Sequence, residues 1–175
     1  MKLLEVASLP RMVDGMGRGR KPVTNVSWWS AIAYCNWLSE KEGLPKAYDS
    51  DGNLLDKNGK TTTNPSKVVG YRLSTEAEWE YAARGGNKSN GYEYSGSDSV
   101  GYVAWYNLNS GGKTQEVGKM APNGLGIYDM SGNLWERCSD WYSPYSDSLR
   151  KIHFFQAVNH FVCAGVAVLT TNLSE

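Results

Sequence analysis

Asp129 and Glu136 stand seven residues apart across Met130-Ser131-Gly132-Asn133-Leu134-Trp135, two carboxylates bracketing a glycine turn. A hard divalent cation takes roughly six to eight oxygens, drawn from carboxylates and backbone carbonyls at short range. A turn of this kind can aim the intervening carbonyls inward and complete such a set. The same residues fit a plainer reading, an Asx-turn at Asp129 with Glu136 on the surface. Spacing alone leaves both open.

Other candidate chemistry is weaker. Cys35, Cys138 and Cys163 make an odd count with no close pair, which indicates neither a disulfide framework nor a cysteine metal knot. His153, His160 and Cys163 give H-x6-H-x2-C, but no acidic or cysteine partner stands nearby to complete a metal site. DSDGNLLDKNG at 49–59 resembles an EF-hand loop only superficially, because the bidentate Glu and the flanking helices are missing. Lys plus Arg and Asp plus Glu are 18 each, so no global field recruits nucleic acid or a membrane surface. Arg11, Arg18, Arg20 and Lys21 read as a solvated segment. FVCAGVAVL is too short to cross a bilayer, and the N-terminus has no signal-peptide apolar core, so the chain as written is expected to be soluble.

The elements that must position the two carboxylates are legible in outline. Ser27 caps a helix through WWSAIAYCNWLSEKE, which Gly43 and Pro45 end. Trp28, Ala31, Ile32, Cys35 and Leu38 form its apolar stripe. Asp51-Gly52 and Asn58-Gly59 are hairpin-turn dipeptides in a polar surface excursion. Val68 to Leu73 reads as a strand, and Thr75 with Glu78 forms a capping box for a second helix whose apolar side is Trp79, Ala82 and Ala83. YEYSG, VAWY, QEVGKM, GIYDM and WERCSDWY then read as short strands. No internal repeat is evident. Seven Trp and eleven Tyr beside nineteen Gly suit a loop-rich domain on aromatic anchors, and Tyr92, Tyr94, Trp105, Tyr106 and Tyr142 either pack or line a ligand face.

GYRLSTEAEWEYAARGG at 70–86, GIYDMSGNLWERCSDWY at 126–142 and PVTNVSWWSAIAYCNWLSEKEGL at 22–44 together resemble the sulfatase-modifying factor family, also called the formylglycine-generating enzyme family. The resemblance covers about residues 20 to 145. It implies an α+β, C-type lectin-like fold with two main helices, short antiparallel strands and long loops. It further implies a structural calcium ion held by Asp129, the carbonyls of Gly132 and Leu134, and Glu136, with Trp135 and Trp141 as core anchors. Arg137, Ser30 and Ser74 depart from the family's usual Trp, Asp and Pro. A second family calcium site near Trp105 to Gly118 is not expected, since only Glu116 supplies an acid there.

In that family the reactive portion comes last, as an R-V-x-R-G-G-S-W segment, a copper-binding cysteine pair and a G-F-R strand. Nothing after Pro144 resembles it, so copper is not expected. Residues 1–21 are therefore read as a non-family or truncated front, 22–145 as a partial family domain and 146–175 as a non-family tail. Shifting the reading frame from Phe161 to Ala167 permits Arg, Val, Arg, Gly, Gly and Ser in succession, though not the Trp that follows in the family, and the hypothesis drawn from it is a tail frameshifted near Leu149. Sequencing of the coding DNA tests this. The resemblance thus implies oxidation of a sulfatase cysteine to formylglycine for the family, but an inactive member or fragment for this chain. The alternative is a non-catalytic, calcium-stabilised lectin-like module for a protein or peptide ligand, without nucleic acid or membrane. A broken-gene product without independent function is the third reading.

Overall fold

The structure is a computed structural model and describes residues 19–140. The expected tail, the H-x6-H-x2-C pattern, Trp141, Tyr142 and most of the front segment lie outside the described residues. The described chain forms two compact units, residues 25–74 and residues 19–24 with 75–140.

In the first unit, helix α1 spans Trp28–Lys41, with the Ser27 hydroxyl accepting from the Ser30 amide at 3.0 Å. Gly43 adopts φ 71, and the Glu42, Gly43 and Leu44 amides return to the carbonyls of Leu38, Glu40 and Ser39. Ile32 and Cys35 of the expected stripe are buried with Ala47 and Tyr48, and Trp28, Leu54, Val68 and Leu73 pack against them. Asn36 ties the helix to the following segment: its side chain accepts from the Ala47 and Tyr48 amides at 3.0 Å and donates to the Tyr48 carbonyl at 2.9 Å.

Both turn dipeptides form hairpins, with antiparallel bridges Tyr48–Leu54 and Leu55–Thr61. Asp49 accepts from the amides of Asp51 and Asn53, and Asp56 repeats the pattern with Asn58 and Lys60. YDSDGNL and LDKNGKT are thus a tandem turn repeat, visible in the sequence once the geometry is known. Gly70 passes so close to the Pro45 carbonyl and the Ser39 hydroxyl that a Cβ would collide with both. Gly70→Ala is expected to cost about 1–3 kcal/mol by overpacking, read as a lowered urea midpoint; an unchanged midpoint would contradict the packing described.

In the second unit, helix α2 spans Glu76–Ala83 behind a complete capping box of Thr75 and Glu78. Trp79 and Ala83 are buried with Met130 and Cys138, and Ala82 packs beside them. Asp140 also accepts from the Glu76 amide at 2.8 Å. Cys138 is disulfide-bonded, which corrects the expectation of no disulfide; Cys35 is a free, buried thiol. Helix α3, Val100–Val103, is a single turn that replaces the start of the expected strand VAWY.

The short antiparallel strands are the part of the expected fold that does not appear. Among the described residues there are only isolated bridges, Tyr94–Ser97 among them, and Glu136 is also a bridge residue. Two causes are visible. Gly96 within YEYSG, Gly118 within QEVGKM and Gly126 at the start of GIYDM adopt positive φ and break those runs. Amides that a ladder would pair are captured by side chains instead, as when the Tyr71 amide donates to the Ser39 hydroxyl and the Leu73 amide to the Tyr48 hydroxyl.

Candidate metal centre

The turn between the two carboxylates is built by residues that tolerate left-handed backbone. Asp129 (φ 61) and Asn133 (φ 77) are two of the three non-glycine residues with positive φ among those described. Asp and Asn occupy this region at least cost because their short polar side chains bond locally. Gly132 lies between them, and a Cβ there would collide with the Trp105 carbonyl. That same carbonyl accepts from the Asn133 amide at 2.9 Å. The Asn133 side chain then accepts from the Gln115 amide at 3.0 Å and donates to the Gln115 carbonyl at 3.1 Å. Gly118 donates its amide to Asp129 Oδ2 at 2.7 Å. The 105–118 segment therefore grips the turn at Trp105, Gln115 and Gly118.

The second oxygen of Asp129 is different. Oδ1 is buried and has no hydrogen-bond partner. A buried carboxylate oxygen without a donor is costly, and natural folds seldom leave one so. Glu136 stands close enough for the Asp129 charge to be felt. Burial pushes the Glu136 carboxyl above its ordinary value of 4.5, the Trp79 indole bond draws it down, and the Asp129 charge pushes it up again. The outer edge of Glu136 stays exposed to water, which limits the push. Trp79 Nε1 donates to Glu136 Oε2 at 2.8 Å.

These residues fit a hard cation. Asp129 offers an unpartnered oxygen, Glu136 a neighbouring carboxylate, and no hydrogen bond from a described residue ends on the carbonyls of Gly132 or Leu134. Among the described residues no group of three or more His, Cys, Asp or Glu gathers at one point, so backbone carbonyls would have to complete the shell. Trp135 is 39% exposed and not the core anchor expected.

A pH dependence follows from Glu136. Its folded-state value lies above the unfolded one, so the stability carried by the protonated form is fully present below pH 4.5 and is lost as pH rises through the folded value. Glu76, pushed up by burial and by the charges of Asp140 and Glu80, acts in the same direction. The difference between Glu136→Gln and wild type isolates one group. Without divalent metal, the variant is expected to gain on wild type as pH climbs above 4.5, measured by urea unfolding; a constant difference would contradict the electrostatics described.

Two residues that hold the site carry little signal in the sequence. Asn123 accepts from the Leu125 and Ile127 amides and donates to the Ala82 and Ala83 carbonyls and the Ser95 hydroxyl. It thereby joins the end of α2 to the run leading into the turn. Asn133 does the same for the 105–118 segment. Each precedes or follows a glycine, the one hint that its backbone is special.

Comparison with known proteins extends this picture. The model of the sulfatase-modifying factor enzyme 1-like domain matches residues 9–170, past both boundaries that the motifs suggested. The chaperone protein LppX of Paenibacillus barcinonensis is 43% identical over 155 residues, covering 74% of this chain and 55% of that protein. A formylglycine-generating enzyme of Streptomyces coelicolor is 34% identical over 149 residues, covering 77% of this chain and 38% of the enzyme. The chain thus spans about half, or less, of the length of these relatives. Treponema denticola variable protein 1 shares the fold with a TM-score of 0.60 at 35% identity, covering 81% of this chain and 57% of that one. CarF follows with a TM-score of 0.56 at 38% identity, covering 74% and 53%. A family match across most of the chain and solved relatives at these identities make the conclusion plain: the chain belongs to the sulfatase-modifying factor enzyme 1-like family.

Proposed function

We propose that this chain is a calcium-stabilised, C-type lectin-like recognition domain of the family, without formylglycine-generating chemistry of its own. The observation that carries the cation is the buried, donorless Oδ1 of Asp129 beside the carboxylate of Glu136. Asp129, Glu136 and the carbonyls of Gly132 and Leu134 would hold the ion. It would supply structural charge, neutralising two acids and fastening the turn.

The non-catalytic part rests on the thiols. Copper in this chemistry requires two converging soft thiolates. Cys35 is buried, with burial pushing its thiol up and away from the thiolate, and Cys138, held in a disulfide, offers no thiolate while that bond is intact. A protein or peptide partner is favoured over nucleic acid or membrane, because a relative named a chaperone is 43% identical and the chain has no net charge. Among the described residues no helix is long and apolar enough to cross a membrane. The formylglycine-generating reading is supported by the 34% identity to an enzyme of that name. Incubating the full chain with copper, oxygen and a sulfatase cysteine peptide separates the two. The peptide mass is expected to stay unchanged; conversion of its cysteine to formylglycine would overturn the proposal.

A further inference from the structure

Trp79 holds a position that packing alone does not explain. Its ring lies in one core cluster with Ala83, Met130 and Cys138, which holds the residue after Asp129 and the residue two beyond Glu136. Its indole N–H meanwhile donates to Glu136 Oε2 at 2.8 Å, across 57 positions of sequence. Helix α2 is in turn fixed by its capping box and by Asp140 at the Glu76 amide. The donor is therefore mounted on a rigid element and aimed at one oxygen of a carboxylate. A phenylalanine would fill most of the same core.

We propose that Trp79 is a positioning residue for the cation site: it holds one oxygen of Glu136 and turns the other, Oε1, toward the ion. This rests on the calcium reading above and adds a residue on a different element. Outer donors of this kind orient a metal-binding side chain, and their loss typically weakens metal affinity about 10–100-fold. The bond also links the site to α2, so ion binding should be felt at the indole.

Calcium titration calorimetry on the full chain tests this, with wild type, Trp79→Phe, Glu136→Gln and the double variant. Trp79→Phe is expected to weaken Ca²⁺ binding about tenfold, and to add nothing once Glu136 is already Gln. Trp79→Phe binding Ca²⁺ as tightly as wild type, or losses that simply add, would overturn the positioning role while leaving the calcium site standing. No binding by wild type would overturn both. Should Trp79→Phe fail to fold, the indole N–H resonance of Trp79 in wild type decides. It is expected to shift along the same saturation curve as the calorimetric heat; an unmoved resonance in a protein that binds Ca²⁺ would contradict the proposal.

Discussion

Replacing Asn123 with alanine is expected to remove about 3–5 kcal/mol of stability, a large share of the roughly 5–15 kcal/mol typical of a domain. The size follows from the number and kind of groups left behind. Asn123 is 6% exposed, and its side chain makes five hydrogen bonds, two of them from the Leu125 and Ile127 amides. Its amide group answers the Ala83 carbonyl at the end of α2, which has no further helix to pair with, and joins the Gly85 amide on the Ala82 carbonyl. Alanine leaves the Ala83 carbonyl and the Leu125 and Ile127 amides without these partners at once. Asn123→Asp keeps the two acceptances but sets a carboxylate against the negative end of the helix, so it should rescue nothing. Urea unfolding of both variants reads the result. A loss below about 1 kcal/mol in Asn123→Ala would mean that the loops hold themselves without this hub.

Asp129→Asn is expected to change sign with calcium. Without metal, the substitution removes a buried charge that has no donor at Oδ1 and relieves its repulsion with Glu136, while the Gly118 amide can still bond the remaining oxygen. The metal-free variant should therefore melt above metal-free wild type. With Ca²⁺ at about a hundred times its dissociation constant, wild type should gain about 2.7 kcal/mol from binding, and the variant nothing. Thermal unfolding of both proteins with calcium and with chelator gives the four values needed. A variant less stable than wild type in chelator would show that Asp129 serves the turn by its charge alone.

Much of the scaffold was readable beforehand because its signals are local. Ser27 and Thr75 cap their helices in the expected way, and the two glycine dipeptides turn where their chemistry demands. The expected strands are missing among the described residues for a physical reason. Alternating aromatic and polar residues suit a pleated strand, but here Asn36, Asn123, Asn133 and Ser39 take up the amides first, and the positive-φ glycines forbid extension. Such long-range side-chain pairings leave no periodic trace. The carboxylates were visible as a pair, whereas the bond from Trp79 to Glu136 was not, since an apolar helix position normally reads as packing alone.

The most direct measurement is calcium titration calorimetry on the full chain, metal-free, near neutral pH, with wild type beside Asp129→Asn. Wild type is expected to take up a single Ca²⁺ with saturable heat, and the Asn variant to show none. Flat wild-type heats, or equal binding by the variant, would contradict the assignment of the 129–136 turn as a cation site.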